Sequence, residues 1–172
     1  MPIHLAFLST KGSTESQMNN IRFLIEQLPF SPSAEDLEGR VCAHYACRSR
    51  SGVIPKLKLI QEKWPMTLLH VSRVHGMPIH DACCSGCELE VIDHLAGLDP
   101  KSLEHEHPEV GLPLACVPFF DRHYLFVDLL MRRYSKVKNK GTALFCALLK
   151  DEEVEMKGPI ISRFLACCNP IF

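Results

Sequence analysis

The sequence predicts an all-α repeat solenoid, in which pairs of helices stack side by side and their connectors project from one edge. Three observations support this fold class. Five short segments resemble one another at intervals of 30 to 40 residues. A turn and a longer stretch with apolar residues at helical spacing follow each segment. Proline ends most of these stretches, and glycine stands just ahead of most of the following segments. A pair of short helices cannot bury its apolar face alone, so stacking is required.

The first element of each unit is a short apolar segment, predicted to be helical. The fourth residue of each copy marks its position, and the intervals between these markers are 40, 36, 35 and 30 residues. Those markers are His4, His44, His80, Ala115 and Phe145. Near-constant intervals of this size are typical of stacked repeats. They divide the chain into a single array of about five units, 1–39, 40–75, 76–110, 111–140 and 141–172.

A turn and a longer helix come next in each unit. Glycine marks the turn in the first three units, at Gly12, Gly52 and Gly86. The longer helix has apolar residues spaced three and four apart, which in the third unit are Leu89, Val91, Ile92 and Leu95. The second unit is stretched by the segment 48–53, so we expect an irregular turn between its two helices.

The last element of each unit is a connector, predicted to be an extended loop. Proline ends the longer helix because it cannot donate the next hydrogen bond of the ladder. The prolines concerned are Pro29, Pro65, Pro100 and Pro170. Glycine closes the connector, where a turn with positive φ suits it. Those glycines are Gly39, Gly76, Gly111 and Gly141.

The segment Met77-Pro-Ile-His-Asp-Ala82, followed by Gly86 and an apolar helix, resembles the ankyrin repeat, whose signature is T-P-L-H-x-A. Less complete copies cover nearly the whole chain. Across them the positions that match the motif are Pro2, His4, Ala6, His44, Ala46, Pro78, His80, Ala82, Gly86, Pro113 and Thr142. The resemblance implies that the motif histidine makes structural hydrogen bonds between loops and neighbouring repeats. Proline at the second position suits the first turn of a helix.

Two departures from the signature predict a modestly stable array. Its threonine occurs only at Thr142, and the loss of a helix cap elsewhere costs roughly 0.5–2 kcal/mol. Gly76, Gly111 and Gly141 lie one residue closer to the motif than the family's usual glycine. We therefore expect connectors that are shorter or less hairpin-like than those of an ideal repeat.

The resemblance implies a non-catalytic protein–protein interaction scaffold, whose binding surface comprises the connector tips and the first helices. The residues at those positions are Glu38, Arg40, Tyr45, Arg73, His75, Asp81, Glu106, Glu109, Lys138 and Asn139. The sequence contains no glycine-rich phosphate loop, no G-x-S-x-G elbow and no H-E-x-x-H helix. We therefore expect no enzymatic activity, no cofactor and no metal.

The charge and the cysteine content of the chain limit which kinds of partner and which cellular compartment we expect. The 19 basic and 20 acidic residues give a formal net charge of −1, which favours neither nucleic acid nor an anionic membrane as partner. Nine cysteines without a signal peptide indicate a reducing compartment, the cytosol or the nucleus. Because both ends of the chain are apolar, we also expect further repeats or domains of a longer chain to cover them.

The alternative function is a cysteine-dependent metal-binding or redox protein centred on Cys84 and Cys87. Their C-x-x-C spacing is that of zinc and redox sites, with His80 and Cys83 nearby. Against it, one such pair supplies only half of a tetrahedral zinc site, and a redox motif would require a βαβ context. A second cluster, His105-Glu-His107, is predicted to lie on an exposed connector.

Overall fold

The computed structural model describes residues 1–109 and 111–116. These residues form six α-helices and, apart from two isolated bridges, no β-structure, so the all-α prediction is confirmed for this part of the chain. The helices are α1 (Pro2–Leu8), α2 (Thr14–Gln27), α3 (Cys42–Arg48), α4 (Val53–Lys63), α5 (Pro78–Cys84) and α6 (Leu89–Leu98). Within the described ranges, none of the helices could cross a membrane. Most of the predicted fourth unit and all of the fifth, with Gly141, Thr142 and Pro170, lie outside the described residues.

Short and long helices alternate along the chain, and each short helix packs against the long helix that follows it. The short helices α1, α3 and α5 have seven residues each, and the long ones have 14, 11 and 10. The short helices also pack in a row, α1 on α3 and α3 on α5. A short 3-10 helix, Pro113–Cys116, covers the next face of α5. Helices this short depend on such packing for stability.

The core is built from small residues on the short helices and larger ones on the long helices. Cys42, Ala43 and Ala46 of α3 are fully buried, and so is Ile60 of α4. Small side chains allow neighbouring helices to approach closely. Reduced cysteine packs here as a small hydrophobe, and burial raises the pKa of the Cys42 thiol to about 12.

Each long helix ends two residues before a proline, as predicted. Its last turn is followed by Leu28, Trp64 or Asp99, whose φ angles are −138°, −139° and −145°. Such extended values are expected immediately before proline, whose ring clashes with a preceding helical residue. Leu28 and Trp64 therefore lie just beyond the helix ends.

The connectors were predicted to be extended loops, shorter or less hairpin-like than those of an ideal repeat, and the structure corrects the extended conformation of their first part. Each begins with a 3-10 helix, Ser31–Ser33, Pro65–Leu69 or Pro100–Glu104. Each then closes on a tight turn, in which an N–H donates to the carbonyl four residues later. These bonds join Asp36 to Arg40 (2.9 Å), Ser72 to Gly76 (2.8 Å) and His107 to Gly111 (3.0 Å).

Glycine makes these tight turns possible. Gly39, Gly76 and Gly111 have φ angles of +79°, +72° and +77°, as predicted for this position. At Gly76 a β-carbon would also lie 3.0 Å from the ring of His80. The chain can therefore reverse within five residues even though the glycine stands close to the motif.

The segment 48–53 was expected to stretch the second unit through an irregular turn, and the structure corrects the expected length of that turn. Arg48 and Val53 belong to the helices, and the loop comprises only residues 49–52. The corresponding loop of the third pair, residues 85–88, has the same length. The long interval between His4 and His44 arises instead in the first unit, where α2 is the longest described helix.

A buried lysine joins the first two inter-helix loops. Lys56 of α4 is fully buried, and its Nζ donates hydrogen bonds to Ser9 O (2.9 Å), Ser49 Oγ (2.7 Å) and Ser51 O (2.9 Å). Burial lowers the pKa of Lys56 to about 8, so the ammonium is still charged at neutral pH. Three acceptors compensate for the loss of water around this charge.

Replacing Lys56 by methionine is expected to lower the free energy of unfolding by about 2 kcal/mol. Methionine preserves most of the buried volume but leaves the single hydroxyl hydrogen of Ser49 as the donor shared by the two loop carbonyls, at 3.4 Å from Ser9 O and 2.9 Å from Ser51 O. Urea unfolding of Lys56→Met measures the change, with the exposed Lys58 of the same helix replaced by methionine as the matched control. Equal stability of the two variants would show that the three bonds contribute nothing.

Candidate functional site

Five of the predicted partner-binding residues converge on one polar cluster. The cluster extends from the first connector across α3 to the second connector and α5. It consists of Asp36, Glu38, Arg40, Tyr45, Arg48, His75 and Asp81. Its position in the fold is that of the predicted surface, the connector tips and first helices.

Asp36 organises the first connector, although the sequence did not single it out. Its Oδ1 accepts hydrogen bonds from the backbone N–H groups of Glu38 and Arg40, both at 2.8 Å. Its Oδ2 accepts from Tyr45 Oη (2.6 Å) and Arg40 Nε (2.8 Å). Burial alone would raise the pKa of Asp36, but the hydrogen bonds outweigh it and hold the pKa well below its ordinary value. An aspartate three residues before Gly39 is a turn signal that could have identified it.

Tyr45 is fixed in place by contacts with three other residues of the chain. Its ring stacks on the His4 imidazole, with centroids 4.8 Å apart and planes within 5° of parallel. The Arg40 guanidinium carbon lies 4.9 Å from the centre of the same ring. With its hydroxyl on Asp36, Tyr45 thus joins α1, α3 and the first connector.

The second connector is hydrogen-bonded to the first. His75 Nε2 donates to Glu38 Oε2 (2.9 Å), which also accepts from the Arg40 guanidinium (3.0 Å). Arg73 is exposed, yet its backbone N–H donates to Glu38 O (3.1 Å) and its guanidinium to Leu37 O (3.0 Å). The tips of the two connectors therefore lie side by side in a defined register.

Asp81 was expected to be available on the surface of its helix, and the structure corrects this because its side chain is only 4% exposed. α5 packs on α3, and the ends of the Arg48 and His75 side chains lie next to the Asp81 carboxylate. Asp81 Oδ1 lies 3.6 Å from Arg48 Nη1 and 3.9 Å from His75 Nδ1, both too long for hydrogen bonds. Oδ2 has no hydrogen-bond partner among the described residues. Burial raises the pKa of Asp81 to about 6, against the opposing effect of His75 and Arg48.

The third connector carries the exposed residues Glu106 and Glu109. His107 was expected on an exposed connector, but it is 5% exposed, because its backbone forms the tight turn with Gly111. His105 is half-buried beside the ring of His80. Lys138 and Asn139 lie outside the described residues.

The cysteine pair of the alternative function does not have the surroundings of a reactive thiol. Cys84 is exposed, whereas Cys87 is half-buried and donates its thiol hydrogen to Cys47 O (2.8 Å). Burial raises the pKa of Cys87 to about 11, the opposite of what a nucleophile or metal ligand needs. Within residues 1–109 and 111–116, no group of three or more His, Cys, Asp or Glu side chains could hold a metal ion.

A groove of about 890 Å³ lies between the second and third inter-helix loops. Its lining includes Arg48, Arg50, Cys84, Cys87 and Glu88. Arg48 belongs to both the groove and the polar cluster, so the two features meet at the end of α3.

Comparisons of the chain with protein-family models, with curated proteins and with solved structures found no match.

Proposed function

We propose that the chain is a degenerate ankyrin-repeat array that acts as a non-catalytic scaffold for protein–protein interaction. The observation that carries this proposal is the recurrence of the connector turn. The same backbone hydrogen bond closes all three connectors, starting at Asp36, Ser72 and His107. These starting points are 36 and 35 residues apart, which matches the period of the sequence motif.

The motif histidines support the same proposal. In the first three units Nε2 donates to a carbonyl of the connector that follows, at Ala34 (2.9 Å), Gly76 (3.0 Å) and His105 (3.0 Å). In His44 and His80, Nδ1 also accepts from the N–H of the residue before the helix, at 3.2 and 3.1 Å. This bond pairs the N–H of the residue before the helix with a side chain of the first helical turn, which is the second half of a capping box.

The rings of these two histidines also have equivalent neighbours. The imidazole of His44 meets that of His70 edge-on, with centroids 6.0 Å apart and planes at 89°. The imidazole of His80 meets that of His105 at 5.9 Å and 88°. Successive units sharing hydrogen bonds, ring geometry and turn closure are what a repeat array requires.

A scaffold of this kind binds with side chains on a rigid frame. Connectors joined to each other and to the histidines hold their tips in place before a partner arrives, so little ordering entropy is lost on binding. In this proposal Arg73, Glu106 and Glu109 are exposed contact residues, while Glu38, Arg40 and Tyr45 set the shape of the surface. The buried thiols are consistent with the proposed reducing compartment, cytosol or nucleus.

A matched pair of triple variants tests the binding surface. The tip variant replaces Arg73, Glu106 and Glu109 by alanine, and the control replaces Arg22, Glu26 and Glu62 of the long helices, so both remove one positive and two negative exposed charges. Partners are captured from the native cell with the unaltered chain, and the affinity of an identified partner is then measured for each variant. We expect about a tenfold loss or more for the tip variant alone. An unchanged affinity of the tip variant, or an equal loss in the control, would contradict the assignment.

Elemental analysis tests the scaffold against the cysteine-centred alternative. Protein purified without chelator is expected to contain no stoichiometric zinc. Stoichiometric zinc that disappears when Cys84 and Cys87 are replaced by serine would favour the alternative instead.

A further inference from the structure

We infer that Asp81 is the anchor of the partner-binding surface and that it receives an arginine side chain of the partner protein. This inference rests on the scaffold function proposed above and specifies the chemistry of the partner. It is drawn from the burial of Asp81, its hydrogen bonding and the charges around it.

Asp81 is the carboxylate of the polar cluster that the described residues leave unsatisfied. Asp36 accepts four hydrogen bonds. Glu38 Oε2 accepts a hydrogen bond from His75 and forms an ion pair with Arg40. Asp81 is 3% exposed, its nearest cation lies at 3.6 Å, and its Oδ2 has no partner within the described part of the chain. Buried polar groups are nearly always hydrogen-bonded, so such an exception requires an explanation.

The charges of the cluster favour a cationic ligand. Its three carboxylates, at Asp36, Glu38 and Asp81, face two guanidinium groups, at Arg40 and Arg48. Arg40 forms its ion pairs with Asp36 and Glu38, and Arg48 and His75 are the cationic groups of the described residues that contact the third carboxylate. An additional positive charge from a partner would balance the cluster.

Arginine fits this carboxylate better than lysine does. A guanidinium can donate two parallel N–H bonds and satisfy both oxygens of one carboxylate, whereas an ammonium is a point charge. The groups covering Asp81 are the ends of the Arg48 and His75 side chains, which are 40% and 26% exposed. Neither end is hydrogen-bonded to Asp81, so the Arg48 side chain can turn away without breaking a hydrogen bond to it, while His75 stays bonded to Glu38 Oε2 (2.9 Å).

The inference also explains why a destabilising charge occupies this position. An amide at residue 81 would remove the buried charge while preserving the shape of the side chain. We expect Asp81→Asn to raise Tm by about 3–6 °C at neutral pH. Functional sites often contain a residue that lowers the stability of the fold but is needed to bind a ligand.

Selection of random linear peptides displayed on phage tests the inference. The library is selected against the wild-type chain, and the selected peptides are measured on wild type, on Asp81→Asn and on a control, Glu62→Gln, which changes an exposed carboxylate on α4. We expect peptides enriched in arginine, whose affinity falls about tenfold or more on Asp81→Asn and is unchanged on Glu62→Gln. Replacing the arginine of the peptide by citrulline, a neutral analogue, should cause a similar loss. In a carboxyl carbon NMR titration the arginine peptide should lower the pKa of Asp81, which a purely structural role would not do.

The outcomes separate this inference from the scaffold function. Peptides that bind Asp81→Asn as tightly as wild type, or that keep their affinity with citrulline, would overturn the anchor and leave the scaffold standing. Failure to select any binding peptide would also overturn the anchor, while the scaffold function is decided separately by the affinities of the tip variant and its control.

Discussion

Replacing His44 by alanine is expected to lower the free energy of unfolding by about 3–5 kcal/mol. The imidazole is fully buried in α3, where Nδ1 accepts from Val41 N–H and Nε2 donates to Gly76 O. Alanine would leave Val41 N–H without its partner, at about 1–3 kcal/mol, and would add a cavity. It would also remove one of the two donors to Gly76 O, which keeps its hydrogen bond from Ser72 N–H (2.8 Å). The bond to Gly76 also fastens the turn of the second connector, so local unfolding should begin there.

His4→Ala is the matched comparison for this variant. His4 is equally buried and donates to Ala34 O, but its Nδ1 has no partner among the described residues. Its loss should therefore be smaller, about 2 kcal/mol. Urea unfolding followed by circular dichroism measures both variants, and equal losses would show that the bond to Val41 N–H contributes nothing.

Acidification is expected to destabilise the fold between about pH 6.5 and pH 4 through His44 and His80. Burial lowers the pKa of both histidines from 6.5 to about 4. In this window the unfolded chain binds protons that the folded chain does not, so stability falls as the pH is lowered. Each histidine contributes on the order of 3 kcal/mol to the loss.

Asp81 works in the opposite direction in the same window. Its pKa is raised to about 6 in the fold, so protonation of the folded chain adds stability as the pH falls from about 6 towards 4. Urea unfolding at several pH values should therefore show a steeper acid loss in Asp81→Asn than in wild type, and a shallower one in His44→Ala. Curves that are parallel in all three proteins would contradict both assignments.

The helical pairs were predictable because their signal is local. Apolar spacing, proline and the motif period are each set by a few neighbouring residues, and they agree in the first three units. The glycine turns that close the connectors were predictable for the same reason. Pro65 and Pro100 end the long helices as predicted, but they also begin 3-10 helices, which the signal for a helix end does not reveal.

Much of the polar cluster followed from position in the repeat, but its internal order did not. Tyr45 and Asp81 occupy the same motif position, yet the tyrosine bonds to Asp36 and the aspartate is buried without a hydrogen bond. The difference arises from side chains on other segments, which no local pattern reveals. Lys56 was missed for a related reason, since lysine is rarely fully buried and its three acceptors come from two separate loops.

The ammonium of Lys56 has a consequence for how the molecule would yield under strain. The first two helix pairs are joined at both edges. Hydrogen bonds between the connectors join them at one edge, and the hydrogen bonds of Lys56 Nζ join them at the other. At the equivalent edge between the second and third pairs, the Cys87 thiol donates a hydrogen bond to Cys47 O, and this bond lies beside the open groove. We therefore expect bending to be concentrated between the second and third helix pairs. This joint would act as a hinge and let the molecule adjust its curvature to a bound partner.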